Sequence, residues 1–505
     1  MLFNSFEFIF FFMPTTLLFF SISAYYFGKR GALAILLLSS LFFYGWWNPS
    51  YLILLVISVL GNYFIALLIA HIYQRNQAWA CHIRSLGIAA NLGLIIWYKY
   101  AGLLATSLTA LTSTTFDFGT ILLPLGISFF TFQQISYLSS VAINGQAERD
   151  PLRYSVFICF FAHLIAGPLV QPREILPQLD NIRTRLVSWN IVMGGTLFII
   201  GLSKKTLLAD TFAIFVSPVF IAAKADQPIG MIDAWGAMLS YTMQIYFDFS
   251  AYSEMAMGLA LLFGLRFPVN FASPYKAVSI IDFWRRWHMT LSAFLRDFLY
   301  IPLGGRRRGE RRRYINLMAT MVVGGLWHGA NWTFVAWGTL HGLYLVVNHL
   351  WVSHGPVRKL PKWLAWGITF SAVVLAWVPF RAENFATAQI IYQGLFGITG
   401  IAPPEELMKF IGIWSNTSHE QIVHSVYSVQ QFVWMVTSIG IGLAITLLSP
   451  SAIEIFRSAA VPEHGKTETS LTWHATISWA ISIGGLAALS MMQLSSPSEF
   501  IYFNF

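Results

Sequence analysis

Two histidines stand out in a strongly apolar chain. His288 closes the run Asp282-Phe283-Trp284-Arg285-Arg286-Trp287-His288, and His328 follows 40 residues later in Gly324-Gly325-Leu326-Trp327-His328-Gly329-Ala330-Asn331-Trp332. The second is bracketed by membrane-grade sequence on both sides. A titratable side chain is costly in lipid unless it faces protein or water, so an intramembrane histidine points to function by default. Imidazole ionises near neutral pH, which suits a general base. The glycines around His328 let another backbone or a ligand approach closely, and Trp327 and Trp332 can wall a pocket. The competing reading is a core histidine satisfied by its neighbours. For His163, His341 and His349 the sequence favours that structural role.

Other polar residues fall into place around this pair. Asp248 and Glu254 lie in an otherwise apolar span and need partners. A structural ion pair suits them better than direct catalysis, with arginines near His288 as candidate partners. Read as one helix, Asp282 to Arg296 places Trp284, His288, Leu291 and Leu295 on one face, with Arg285, Met289, Ser292 and Arg296 beside them. Asp282 can pair with Arg285 or Arg286. Such an amphipathic helix lies along a membrane interface. Its guanidiniums suit lipid headgroups, or the phosphates of an anionic cofactor such as coenzyme A; the residues leave both readings open. The six arginines from Arg306 to Arg313 sit in a glycine-flanked loop without the Gly-Lys-Ser/Thr ending of a phosphate-binding loop. No metal site is expected. The nearest approach to a zinc motif, His419-Glu420-Gln421-Ile422-Val423-His424, is one residue too long. No Gly-x-Ser-x-Gly elbow is present.

The elements that carry these residues must be membrane helices. The 505 residues are 56% hydrophobic and 10% charged, against roughly 25% charged in soluble domains. Of the net charge of +9, most comes from the stretch Phe283–Arg313, where nine arginines face Asp297 and Glu310. That is a positive-inside topology signal rather than a nucleic-acid surface, with anionic lipid a secondary partner. Two cysteines, Cys81 and Cys159, cannot build a disulfide framework. The N-terminus lacks the positive region of a signal peptide, so Phe8–Phe27 reads as a retained span. Lys29-Arg30 after it put that end in the cytoplasm and the N-terminus outside.

A span needs about 20 apolar residues. Candidates are Phe8–Phe27, Leu33–Trp47, Tyr51–Ile72, Leu86–Leu108, Ile191–Lys205, Trp235–Phe263, Asn316–Val323 running on through Trp327, Thr333–Trp351, Trp363–Val378, Phe432–Leu448 and Trp473–Met492. Leu122–Ala142, with Gln133 and Gln134, and Phe157–Val170, with His163 and Gly167-Pro168, read as re-entrant or half-spanning pieces enclosed by protein or a water-filled cavity. The expected fold is an all-α polytopic integral membrane protein. It has about 10–11 transmembrane helices plus re-entrant and interfacial helices around a central tunnel. Residues 1–505 are expected to form a single domain. Gly397–Gln431 and Ser449–Leu471 read as extramembrane loops.

At these motifs the chain resembles the membrane-bound O-acyltransferase (MBOAT) family, in its bacterial alginate O-acetyltransferase branch. The resemblance runs through Leu164-Ile165-Ala166-Gly167-Pro168, Tyr246-Phe247-Asp248-Phe249-Ser250-Ala251-Tyr252-Ser253 and Asn270-Phe271-Ala272-Ser273-Pro274-Tyr275. It continues in Phe283-Trp284-Arg285-Arg286-Trp287-His288, Leu291-Ser292, Leu299-Tyr300-Ile301-Pro302-Leu303-Gly304-Gly305 and Gly324 to Asn331. It covers nearly the whole chain, with core motifs at about 160–350. Glu254 stands where relatives often have Asp, and Gln171 where a basic residue is common. The terminal Phe500-Ile501-Tyr502-Phe503-Asn504-Phe505 resembles a C-terminal Phe-x-Tyr-x-x-Phe motif of such systems, whose tyrosine is implicated as an acyl acceptor.

The resemblance implies a membrane O-acetyltransferase with acetyl-CoA as donor and no bound cofactor. His328 matches the catalytic histidine and His288 the second, supporting histidine. Arg285, Arg286, Trp327, Asn331 and Asp248 are expected to contact donor or substrate. Tyr502 is expected to relay acetyl to a periplasmic SGNH-type O-acetyltransferase partner and on to an envelope polysaccharide, with alginate first. The location implied is the bacterial inner membrane, with both termini extracytoplasmic. The rivals are the same chemistry on peptidoglycan, teichoic acid or cellulose, and a non-enzymatic channel or exporter subunit, whose inverted repeats are not seen.

Overall fold

Gly28 sets the first architectural feature. Its backbone is left-handed (φ 63°) inside the helical run Met13–Trp47. A straight helix of that length would measure about 52 Å. Instead the chain turns back, and the Phe8 and Phe43 rings meet at 5.8 Å while Phe12 stacks on Phe42 at 6.3 Å. Only glycine takes this conformation without strain. At Gly31 an added Cβ would lie 2.5 Å from the Ser23 carbonyl, so the returning arm also needs a bare Cα. The two spans expected on either side of Lys29-Arg30 are therefore the arms of one hairpin.

The computed structural model describes residues 1–119, 121–182, 187–307, 309–355, 360–404, 425–460, 473–494 and 500–501. Among them the fold is helical throughout, with short π and 3₁₀ segments and no strand, as the composition demands. Six segments are long and apolar enough to cross a membrane: Phe8–Trp47, Pro49–Tyr73, Gln77–Thr112, Ser188–Lys224, Lys362–Arg381 and Val429–Phe456. The remaining expected spans coincide with helices that are shorter or more polar. Met231–Leu262 holds Asp233, Asp248 and Glu254, Gly309–His328 opens on arginines, and Trp332–His354 is rich in Trp, Gly and His.

The described residues pack as two compact units, one from 1–203, 251–270 and 473–504, the other from 204–250 and 271–472. In the first, Gln134 of the expected half-span is spent on helix pairing. Asn62 Nδ2 donates to Gln134 Oε1 at 2.8 Å, and Asn91 Nδ2 donates to Asn62 Oδ1 at 2.6 Å, joining helices Pro49–Tyr73, Gln77–Ile95 and Ile127–Asn144. The expected irregular piece is equally clear. Pro151–Cys159 breaks before Phe161–Leu164, and the backbone beyond it is non-helical yet buried through Val170. His163 settles there as a structural residue, with Nε2 3.0 Å from the Phe157 carbonyl. Tyr252 is the aromatic hub of this unit. Phe3 stacks on its ring at 4.7 Å, Phe500 meets it edge-on at 4.5 Å, and its hydroxyl bonds the backbone of Ala166.

In the second unit the helices Gly309–His328 and Trp332–His354 run against each other at minimal distance. A Cβ on Gly325 would collide with the Phe334 carbonyl, and one on Gly338 with the Met321 carbonyl. This contact between bare backbones positions His328 at the end of its helix.

Candidate functional site

The chain from Asp282 to Arg296 is not one helix. Ile280–Trp284 is capped by the Ser279 side chain, which accepts the Asp282 N–H. Arg285–Trp287 form a turn, and His288 takes a left-handed backbone (φ 42°) before Met289–Leu295 resumes. A non-glycine residue in that region is uncommon and strained. The stripe expected to align Trp284 with His288 is thus broken. The break instead turns the imidazole inward, where it is 0% exposed.

Its neighbours are aromatic. Phe249 packs edge-on at 4.7 Å, Trp327 lies 5.8 Å away, and Phe271 6.5 Å. The ring of His328 lies 6.3 Å from that of His288. His328, 3% exposed, is boxed by Trp327 at 4.8 Å, Trp337 at 4.9 Å and Phe380 at 5.2 Å. The two histidines singled out by sequence therefore meet in one aromatic chamber. The expected second wall, Trp332, is instead 53% exposed. Its place is taken by Trp337, stacked on Trp377 at 5.8 Å. Trp337, Trp377, Phe380 and Phe249 were not legible as site residues, because tryptophans and phenylalanines abound in every apolar run of this chain.

His341 joins this aromatic wall. Trp284 Nε1 donates to its Nδ1 at 3.3 Å, and its ring lies 4.9 Å from Trp337, which it shares with His328. The indole bond gives the ring a structural anchor. His349, beside the Arg313 guanidinium at 2.6 Å, belongs to a helix-to-helix tie.

Asp248 is 1% exposed and pairs with Lys205 at 2.7 Å; Lys205 also reaches Asp210 at 2.9 Å. The arginines expected as its partners are replaced by a lysine at a π segment, Lys204–Ala209, between helices Ser188–Ser203 and Asp210–Lys224. Of those arginines, Arg286 pairs with Asp282 at 2.8 Å and donates to the Ala272 carbonyl at 3.3 Å, while Arg285 is exposed. Asn331 caps the Trp332–His354 helix: its Oδ1 accepts the Thr333 N–H, and its Nδ2 donates to the Glu383 carbonyl at 2.7 Å. Glu254 is buried in the other unit. Asn316 Nδ2 donates to the carbonyl of Gly305, fastening the base of the arginine loop. Tyr502, Arg308, the His419–His424 run and most of the two long loops lie outside the described residues. Among the described residues no group of three or more His, Cys, Asp or Glu side chains is placed to hold a metal.

Chemically, two imidazoles in a dry aromatic box can exchange a proton with a substrate hydroxyl and steady a developing negative charge, because low polarity strengthens both interactions. Residues 147–380 match the family described as MBOAT, membrane-bound O-acyltransferase family, and this stretch holds both histidines and the lysine–aspartate cluster. The chain is 38% identical over 91% of its length to the peptidoglycan O-acetyltransferase of Helicobacter pylori, covering 88% of that protein. It is 41% identical over 67% of its length to the probable alginate O-acetylase AlgI of Pseudomonas putida, covering 69% of it. A more distant similarity, 28% over 51% of this chain and 68% of the relative, is to the teichoic acid D-alanyltransferase of Streptococcus thermophilus.

Proposed function

Because the chain belongs to the membrane-bound O-acyltransferase family, we propose that this multi-pass membrane enzyme takes acetyl from acetyl-CoA and passes it toward O-acetylation of an exported envelope polysaccharide. The observation that carries the reading is the pairing of two buried imidazoles at 6.3 Å inside the family-matched stretch. His328 accepts the proton of an acceptor hydroxyl as its oxygen attacks the thioester carbonyl. His288 steadies the oxyanion. As the intermediate collapses, the C–S bond breaks and the leaving thiolate takes the proton back from His328, giving an acetyl ester and free coenzyme A. Trp327 lines the chamber, while Asp248, through Lys205, holds the helix that carries Phe249.

The first acceptor in this reading is Tyr502. Its acetyl ester hands the group to a periplasmic SGNH-type transferase, at an inner membrane with both chain ends extracytoplasmic. Alginate is the first polymer to test, on the 41% identity to the probable alginate O-acetylase. Peptidoglycan is the second, favoured by the longer match to the H. pylori enzyme. Labelled acetyl-CoA tests the chemistry: wild type is expected to transfer label and His328→Ala to lose it. Equal labelling of the two overturns the base assignment. Full polymer acetylation by Tyr502→Phe overturns the relay and leaves the base assignment standing. Mass spectrometry of acetylated envelope polymers from cells with and without the enzyme identifies the product.

A further inference from the structure

A cavity of about 1010 Å³ opens in the unit that does not hold the histidine pair, where Arg75, Arg149, Arg153 and Arg173 share its wall with Glu148 and Asp180. Its residues come from the ends of helices: beyond Pro49–Tyr73, around the turn after Ile127–Asn144, and along Pro172–Asp180. Lys29 Nζ donates to the Asp180 carbonyl at 2.7 Å, tying the rim to the positively charged turn of the first hairpin. The cavity therefore lies on the same side as Lys29-Arg30.

The charges in it are unevenly spent. Arg153 holds both carboxylates, Glu148 at 3.1 Å and Asp180 at 2.8 Å, and its fork also donates to the Leu176 carbonyl. Among the described residues Arg75, Arg149 and Arg173 form no ion pair. Glu174, next to Arg173, turns its carboxylate to the Gln171 N–H. Four guanidiniums against the two lining carboxylates, with Glu174 partly offsetting Arg173, leave the wall net positive, with Gln74 and Asn144 beside them as neutral hydrogen-bonding groups. A planar guanidinium fork meets phosphate oxygens with paired hydrogen bonds, and a volume of this order accommodates a whole headgroup or nucleotide.

We propose that this cavity is a binding site for a phosphate-bearing group, gripped by Arg75, Arg149 and Arg173, with Arg153 and its two carboxylates as the rigid floor. The same chemistry has two sources, an anionic lipid headgroup or the phosphates of a soluble nucleotide. The site lies in the unit that does not hold the histidine pair, and its test reads binding rather than acyl transfer.

The full chain in phosphatidylcholine nanodiscs is titrated with radiolabelled adenosine 3′,5′-bisphosphate. In parallel, phosphatidylglycerol retained through detergent exchange is counted by native mass spectrometry. Wild type is expected to bind one of the two saturably, with affinity falling as salt rises. The Arg75→Gln/Arg149→Gln/Arg173→Gln variant is expected to bind it at least tenfold more weakly with an unchanged melting temperature. Arg311→Gln, an exposed arginine elsewhere, is expected to bind as wild type. Nucleotide binding assigns the soluble source, and lipid retention assigns the membrane source. The proposal is overturned if wild type binds neither, if the triple variant keeps the binding that wild type shows, or if Arg311→Gln weakens binding equally.

Discussion

Two polar sites buried in the same unit are built on opposite principles. At the first, Lys205, Asp248 and Asp210 answer charge with charge at 2.7 and 2.9 Å. At the second, His288 and His328 are surrounded by the rings of Phe249, Trp327, Trp337 and Phe380. A cluster whose charges are held in ion pairs has its preferred state at rest and resists change. A pair of imidazoles facing each other across aromatic walls is placed to respond to a substrate. The contrast teaches that burial alone does not mark a catalytic group; what marks it is two proton-exchanging side chains brought together in one chamber.

The comparison can be tested at both ends. Replacing His328 by Ala is expected to lower acetyl transfer about a thousandfold, and replacing His288 about a hundredfold. Both variants should melt within a few degrees of wild type, with turnover from labelled acetyl-CoA as the readout. A large loss of melting temperature in either one would move that histidine to the structural side. Asp248→Asn should do the reverse, costing about 3 kcal/mol of stability by leaving Lys205 half-compensated in the interior. The double change Lys205→Met/Asp248→Leu should recover much of that loss in unfolding measured in detergent. If Asp248→Asn folds normally and fails only in donor affinity, the cluster is part of the binding site after all.

Smaller effects probe the scaffold. Gly338→Ala pushes against the Met321 carbonyl and should cost about 1–3 kcal/mol. It should also lower activity more than stability predicts, because the displaced helix carries His328; parallel melting and turnover curves would deny that coupling. Arg286→Gln removes a half-exposed pair with Asp282 and should change stability by less than about 1 kcal/mol, as read by melting temperature.

Much of this was legible beforehand, for reasons that differ by element. The histidine pair was visible because ionisable residues are rare enough in apolar sequence for each to need a reason. The glycines around His328 signalled a close backbone approach, and Gly325 against Phe334 supplies it. The turn at Gly28 was marked by the Gly-Lys-Arg run between two apolar stretches. Three things were hidden. The left-handed backbone of His288 has no side-chain signature, so a helical pattern was read straight through it. Lys205 closes an apolar run and meets Asp248 across 42 intervening positions, a long-range pairing that local periodicity does not carry. The aromatic walls from Trp337, Trp377 and Phe380 are chosen by packing from a surplus of identical candidates.

Tyr252 has a consequence for how the protein comes into being. Its ring is clasped by Phe3 on one side and Phe500 on the other. During synthesis Phe3 precedes Tyr252, but Phe500 emerges 248 residues after it. The hub must therefore stand half-built while the residues between Tyr252 and Phe500 are still to be made. The Phe500 contact then closes this unit long after the hairpin at Gly28 has been made.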